Sequence, residues 1–213
     1  MRGLGRMEAR QGGDRLRPLA VAGLLLIAMN AAVADVPVSG AMMTGGLTSQ
    51  PIGHYEFCQT NPAECSIRLR DRGPVVMTEA LWSRVNHINT SVNRAVRPMS
   101  DFDIYGKDEV WAYPDQGVGD CEDYVLEKRR QIAADGVSLA NLLITVVRKP
   151  DGEGHAVLTM RTDRGDFILD NLNNEIKPWH VTGYRYLKRQ ASTHTGRWVT
   201  LRPDANMLVG AVK

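Results

Sequence analysis

The hydrophobic period of the chain changes near residue 136, and this change limits the folds that the chain can adopt. Apolar residues recur at helical spacing over residues 78–97, and a second helix is predicted over 120–135, where Gly136 ends it. Beyond it, apolar runs over 142–148, 156–162 and 167–169 are separated by turn sequences, as in a β-meander, and further strands are predicted over 184–188 and 198–201. Helices followed by an antiparallel sheet predict one α+β domain.

The first helix carries asparagines as well as its apolar face. They are Asn86, Asn89 and Asn93. Polar residues that interrupt a helical apolar pattern are typical of the face turned to solvent. We therefore predict that all three asparagines lie on the solvated side of this helix.

Composition excludes several classes of protein. The chain has 213 residues, of which 43% are hydrophobic and 23% are charged, as in one ordinary globular domain. It contains no low-complexity tract and one long apolar run, which excludes a disordered protein and a polytopic membrane protein. The net charge of +2 provides no basic surface, so we expect no nucleic-acid partner.

The N-terminal residues have the pattern of a secretory signal. Five arginines precede the apolar run over residues 19–29, and Ala32-Val33-Ala34 follows as a cleavage site. A membrane anchor is the alternative, but a stretch that ends at residue 34 and includes Asn30 is shorter than the roughly 20 residues that span a bilayer. We expect a signal peptide over residues 1–34, a periplasmic location and a mature chain that is not embedded in the membrane.

Removal of this signal divides the rest of the chain into two parts. Residues 35–50 are rich in glycine, serine, threonine and other small residues, which is typical of a mobile arm. Residues 51–213 hold every predicted helix and strand. We therefore predict a flexible arm over 35–50 and one folded domain over 51–213.

The three cysteines all follow the predicted signal. Cys58 and Cys65 flank a polar stretch that contains an Asn-Pro turn, and in an oxidising compartment this spacing favours a disulfide. A pair of reduced, packed cysteines is the alternative. Cys121 is left without an intrachain partner, and an unpaired thiol in an exported protein indicates reactivity.

Cys121 lies at the predicted start of the second helix, within the sequence Gly-Asp-Cys-Glu-Asp-Tyr over residues 119–124. The free N–H groups and the dipole at a helix N-terminus favour a thiolate, which is the nucleophilic form of cysteine. A buried, unreactive cysteine is the alternative when this position is considered alone.

His155 and Asp170 supply the other two groups that a thiol enzyme needs. His155 opens one predicted strand and Asp170 closes the next, so antiparallel pairing brings the two within a few residues of register. A nucleophile, a base and a residue that orients the base form a catalytic arrangement. Each residue could instead be an ordinary turn residue.

Three segments together resemble the bacterial transglutaminase-like cysteine proteinases. They are residues 119–124 with Lys128 beyond them, His-Ala-Val-Leu over 155–158 and Leu-Asp-Asn over 169–171, and the resemblance covers roughly residues 82–201. It implies a papain/transglutaminase-like α+β fold, in which helices with the nucleophile at a helix N-terminus pack on an antiparallel β-sheet. It also implies Cys121 as nucleophile, His155 as general base and acid, and Asp170 as the residue that orients the imidazole.

The resemblance implies a biological role as well. Members of the family perform limited proteolysis of a large surface adhesin, near its N-terminus and between small residues such as two alanines. In the best-known members, an inner-membrane cyclic-di-GMP receptor sequesters the protease and so controls biofilm detachment. We therefore expect an adhesin as substrate and such a receptor as regulator.

The acids around the thiol suggest a metal ion. Asp120, Glu122 and Asp123 add negative charge beside a group that must become an anion, which raises a thiol pKa. Clustered carboxylates suit Ca²⁺, and the resemblance implies calcium ligands at Asp120 and Glu122, to which we add Asp123. Complementarity to the helix dipole is the alternative explanation.

One further residue concerns the reaction. Gln116 is a candidate oxyanion donor, as a glutamine is in papain-like enzymes, or else a solvated loop residue.

Two other functions are compatible with this sequence. A cysteine nucleophile would form the same acyl thioester in an acyltransferase that crosslinks proteins through lysine amines. A non-catalytic binding module on the same fold is the third possibility.

Overall fold

The computed structural model describes residues 40–202. The predicted signal peptide over 1–34 and the first residues of the predicted arm lie outside this range. Within it, no helix is both long and apolar enough to cross a membrane.

Five helices and nine strands make up the described domain. The helices are α1 (Ile52–Thr60), α2 (Pro62–Cys65), α3 (Glu79–Ala95), α4 (Asp101–Tyr105) and α5 (Cys121–Ala134). The strands are β1 (Thr44–Thr48), β2 (Arg97–Pro98), β3 (Val118–Gly119), β4 (Leu142–Arg148), β5 (Gly154–Thr162), β6 (Gly165–Leu169), β7 (Lys177–Pro178), β8 (Arg185–Ala191) and β9 (His194–Leu201).

Seven strands form one antiparallel sheet in the order β1-β9-β8-β4-β5-β6-β7. The central strand β4 pairs along its whole length with β5, so that Val147 lies opposite His155. The ladder between β5 and β6 ends at Leu158 and Leu169, just before Asp170. The remaining strands, β2 and β3, form a short parallel pair that leads into α5.

The helix α3, Glu79–Ala95, agrees with the helix predicted over 78–97 to within two residues at each end. The side chain of Thr78 caps it by accepting a hydrogen bond from the backbone N–H of Leu81, and Pro98 follows shortly after its end. Its buried residues include Leu81, Val85 and Val92. This apolar face packs against α5 and the sheet in the main core.

The helix α5 packs directly on the centre of the sheet. Its side chains Val125, Leu126 and Ile132 are buried against Leu142 and Leu158 of β4 and β5. A helix that is buried this deeply is held rigidly, so its first residue has a fixed place over the sheet. The predicted α+β architecture, with a helix N-terminus packed on an antiparallel sheet, is confirmed.

The structure corrects the prediction for the segment that precedes the first helix. Residues 44–48 of the predicted mobile arm form β1, which pairs with β9 at the edge of the sheet. Met42 is also buried, and its backbone N–H donates to Asp166. The sequence did not indicate this strand because glycine, which is depleted in strands, makes up two of its five residues. Its pairing partner also lies about 150 residues away.

The prediction that all three α3 asparagines face solvent is also wrong. Asn89 is completely buried, and both Asn89 and Asn93 bond to the segment that follows β6. Asn86 alone bonds within its own helix, to the carbonyl of Trp82. Helical spacing cannot distinguish an asparagine that faces solvent from one that faces a polar loop of a neighbouring element.

Candidate active site

Cys121 is the first residue of α5, and Asp120, with an extended backbone, precedes it as the N-cap residue. The thiol donates a hydrogen bond to Glu122 Oε2 at 3.1 Å and accepts one from the backbone N–H of Ala156 at 3.4 Å. Burial and the neighbouring Glu122 carboxylate raise the pKa of the Cys121 thiol well above its usual value. The thiol form therefore dominates in this arrangement of charges.

His155 and Asp170 form a buried pair. Nε2 of His155 lies 2.9 Å from Asp170 Oδ1, and both side chains are almost inaccessible to solvent. The same carboxyl group accepts hydrogen bonds from Tyr184 Oη at 2.6 Å and from the backbone N–H of Leu172 at 3.0 Å. Burial acts to raise the pKa of Asp170, but the hydrogen bond and charge of His155, helped by these donors, hold it below its usual value.

A cavity of about 240 Å³ joins the thiol to the imidazole. Its lining includes Cys121, Glu122, His155 and Ala156, and Trp111 and Val146 form part of its wall. Within residues 40–202 the hydrogen-bond contacts of Cys121 Sγ are those to Glu122 and Ala156, and not to His155. Because Asp170 occupies Nε2 of His155, Nδ1 is the nitrogen left for the thiol.

Three acids form a second cluster beside Cys121, of which Asp101 and Asp123 are buried and Asp120 is half-buried. Carboxyl oxygens of Asp101, Asp120 and Asp123 lie within 4.8 Å of one another. Burial, together with the charges of the neighbouring acids, raises the pKa of Asp101 to about 6 and that of Asp123 to about 7. Burial also raises the pKa of Asp120. Without a cation, these carboxylates repel one another.

The donor set of this cluster fits a hard divalent cation. One oxygen of each acid, namely Asp101 Oδ1, Asp120 Oδ1 and Asp123 Oδ2, is buried and accepts no hydrogen bond from the described residues. Buried carboxylate oxygens are costly unless they are bonded to hydrogen or to metal. Clustered carboxylate oxygens are the ligands that Ca²⁺ prefers.

Local structure explains how the acids converge. A Cβ atom at Gly119 would lie 2.6 Å from Asp123 Oδ2, so only glycine allows this carboxyl group to pack against the backbone there. The other oxygen of Asp123 accepts the backbone N–H of Ala112 at 2.8 Å. Asp101 is the first residue of α4, whose N-cap is Ser100, and it is buried.

The predicted ligand Glu122 lies beside both the thiol and the acid cluster. Its carboxyl group accepts the hydrogen bond of the Cys121 thiol and has an oxygen within 4.8 Å of a carboxyl oxygen of Asp120. Asp101, which the sequence did not indicate, joins Asp120 and Asp123 in the cluster. Burial and the charge of Asp120 raise the pKa of Glu122 to about 9. Gln116 is exposed and lies outside the residues that line the cavity, so the structure does not bring it to Cys121.

The structure pairs Cys58 with Cys65 in a disulfide that joins α1 to α2. His54 of α1 packs edge-on against both Trp111 and Trp198, with ring centroids 5.3 Å apart in each case. Burial lowers the pKa of His54 to about 4, so this ring is neutral and structural. The disulfide-linked helices thus support the wall of the cavity at Trp111.

Sequence reasoning missed three residues that act on the site. Asp101, Tyr184 and Asn93 contact the acid cluster or Asp170 from elements distant in sequence. An aspartate after a serine, a tyrosine before a strand and an asparagine in a helix are each common. Only the tertiary structure shows that these residues contact the site.

A sequence model of the bacterial transglutaminase-like cysteine proteinases matches residues 44–206. The chain belongs to this family. The match starts at the first residue of β1 and includes the cavity and the acid cluster. The predicted family and the predicted class of enzyme, a cysteine protease, are thereby confirmed.

Solved structures of similar proteins come from Legionella pneumophila. LapG is 24% identical to this proteinase over 60% of this chain and 73% of its own, with a TM-score of 0.49. The calcium-bound form of LapG is 23% identical over 59% and 73%, with a TM-score of 0.49. The EGTA-treated form is 22% identical over 60% and 74%, with a TM-score of 0.48. The comparison with curated proteins gives no match.

Proposed function

We propose that this proteinase is a periplasmic, calcium-dependent endopeptidase that cleaves a large cell-surface adhesin and so controls biofilm attachment and detachment. The observation that carries the catalytic part is the shared cavity of Cys121 and His155, with Asp170 bonded to the far side of the imidazole. The adhesin and a cyclic-di-GMP receptor as regulator rest on the family resemblance. The location rests on the signal pattern over residues 1–34.

Acylation begins with a proton transfer from sulfur to imidazole. Nδ1 of His155 takes the proton of the Cys121 thiol, and Asp170 stabilises the imidazolium through Nε2. The sulfur then attacks the carbonyl carbon of the scissile peptide bond. The backbone N–H of Cys121, at the start of α5, is the oxyanion donor that we assign in place of Gln116.

The second half of the reaction returns the enzyme to its starting state. The imidazolium gives its proton to the leaving amine, the C–N bond breaks, and a thioester remains on Cys121. His155 next takes a proton from a water molecule, whose oxygen attacks the thioester carbonyl. The C–S bond then breaks, the carboxylic product leaves and the sulfur regains the proton.

Asp101, Asp120 and Asp123 would hold the calcium ion, with Glu122 as the further ligand predicted from the sequence. A bound Ca²⁺ supplies positive charge that offsets the acids beside the thiol and favours its ionised form. Asp120 precedes Cys121 as the N-cap residue and Asp123 follows it in the first turn of α5, so an ion bound by both would fix the backbone on either side of Cys121.

Incubation of purified outer-surface proteins with the wild type and with Cys121→Ala tests the proposal. We expect the wild type to release a discrete adhesin fragment in calcium, and N-terminal sequencing of the fragment locates the cut. Cys121→Ala and wild type in excess chelator should release none. Full cleavage in chelator, with calcium shown to be absent, contradicts the calcium requirement. Incorporation of an amine into a glutamine substrate in place of cleavage identifies an acyltransferase.

A further inference from the structure

The segment that carries Asp170 is tied to α3 at both of its ends. The side-chain amide of Asn93 donates to the backbone carbonyl of Asp170 at 2.9 Å and to Asn174 Oδ1 at 2.9 Å. The side-chain amide of Asn89, one helical turn earlier, donates to the backbone carbonyl of Asn174 at 3.0 Å. We call Asn89 and Asn93 the asparagine clamp.

The clamp uses residues that the helix itself does not favour. Asparagine has a low helix propensity, and Asn89 is fully buried at 0% exposure in the apolar face of α3. A buried amide is costly unless it is hydrogen-bonded. Both amides direct their donors at the segment after β6 rather than at their own helix. Their contacts therefore serve this segment.

The clamped segment determines where the Asp170 carboxyl group lies. Oδ1 accepts the backbone N–H of Leu172, two residues along the same segment, as well as the imidazole of His155. The carboxyl group is thus attached to its own backbone, and a movement of that backbone carries it away from His155. A displacement of about 1 Å is enough to weaken a catalytic contact by a large factor.

We propose that Asn89 and Asn93 are positioning residues that fix the Asp170–Asn174 segment on α3 and thereby hold the His155 imidazole in its catalytic orientation. This inference rests on the proposed function for its catalytic meaning. The contacts themselves predict a property of His155 that is measurable without a substrate: the imidazole carries its proton on Nε2, where Asp170 accepts it.

The test compares Asn93→Ala with Asn86→Ala. Asn86 lies on the same helix and donates to the carbonyl of Trp82 within it, so it is a matched control outside the clamp. Nitrogen-15 NMR of the His155 ring reports its tautomer. The rate of Cys121 alkylation by iodoacetamide at pH 7 reports how well His155 activates the thiol. For Asn93→Ala we expect mixed ring tautomers and an alkylation rate that is lower by about tenfold. We expect neither change for Asn86→Ala.

A second variant keeps the test decisive if Asn93→Ala does not fold. Asn174→Ala removes one acceptor of Asn93 on an exposed residue, and we expect a smaller change of the same kind. If Asn93→Ala folds with a lower melting temperature but has an unchanged His155 spectrum and alkylation rate, the positioning role of the asparagine clamp is contradicted.

Failure of the clamp differs from failure of the proposed function. If the wild type cleaves no outer-surface protein in calcium while Asn93→Ala changes the His155 spectrum, the positioning role stands and the proposed function as an adhesin-cleaving endopeptidase falls. If the wild type cleaves in calcium and Asn93→Ala matches it in both readouts, the protease assignment stands and the clamp falls.

Discussion

At the scale of single residues, the carboxyl group of Asp170 connects the His155–Asp170 pair to its surroundings. Its two oxygens accept hydrogen bonds from the His155 ring, the backbone N–H of Leu172 and Tyr184 Oη. The ring of Tyr184 also packs edge-on against His155, with centroids 5.7 Å apart. Asp170 is therefore held in the ionised form that its partner His155 needs.

Replacement of Tyr184 by phenylalanine removes one of the donors that lower the pKa of Asp170. Because that pKa then rises, we expect the acid limb of the pH–activity profile to move to higher pH, and activity at neutral pH to fall by about tenfold. Tyr186→Phe is the matched control, since the hydroxyl of Tyr186 bonds to Thr182 instead. Identical profiles for Tyr184→Phe and the wild type would contradict this role of Tyr184.

The buried side chain of Lys128 makes the free energy of unfolding depend on pH. Burial lowers its pKa to about 7, against the opposing charge of Asp170, and its Nζ has no hydrogen-bond partner among the described residues. Below pH 7 the lysine is charged in both the folded and the unfolded protein, so burial of the charge lowers the free energy of unfolding by its full amount. As pH rises from about 7 toward the unfolded pKa of 10.5, the lysine loses its proton and this destabilisation disappears.

We therefore expect Lys128→Met to gain most stability relative to the wild type near pH 6, and to lose that advantage progressively toward pH 10. Urea unfolding of the two proteins across this range measures the difference in free energy of unfolding. Curves that stay parallel from pH 6 to pH 10 would show that Lys128 keeps an ordinary pKa in the folded protein.

At the scale of elements, the disulfide between Cys58 and Cys65 stabilises α1 and α2, the helices that pack behind the cavity wall at Trp111. Cross-linking two cysteines seven residues apart removes chain entropy from the unfolded state, by about 2.5 kcal/mol in the loop-closure model. We expect Cys58→Ser with Cys65→Ser to lower the free energy of unfolding by about this amount. The wild type in dithiothreitol should lose the same stability, and no loss in either case contradicts the assignment.

The short helix α4 contributes to the acid cluster through Asp101, whose free oxygen is buried there. If the cluster binds Ca²⁺, loss of one carboxylate ligand should weaken the affinity at least about tenfold. Isothermal titration of Ca²⁺ into Asp101→Asn measures this change. Asp108→Asn, an exposed neighbour on the same segment, serves as control. Equal affinities for the two variants exclude Asp101 as a ligand.

At the scale of the whole molecule, the sequence predicts the parts of the fold that depend on local pattern. The bounds of α3 and β4 are predicted from apolar spacing and the residues that flank each element, and the structure reproduces them within about two residues. Antiparallel pairing likewise brings His155 and Asp170 together, because both lie next to the ends of neighbouring strands.

The remaining features depend on contacts between distant segments. β1 pairs with a strand about 150 residues away, and Asp101 reaches the acid cluster from a separate helix. Asn89 has the residue type of a solvated position but is covered by the loop after β6. No local pattern marks these residues, since their environment is created only when the domain folds.

The central claim is that Cys121 is activated by His155 and Asp170 as one unit. The rate of Cys121 alkylation by iodoacetamide at pH 7, measured with Ca²⁺ added, tests it without a known substrate. We expect alkylation of the wild type to be about a hundredfold faster than that of His155→Ala, because the imidazole takes the thiol proton. A wild-type Cys121 that reacts no faster than in His155→Ala would contradict the claim.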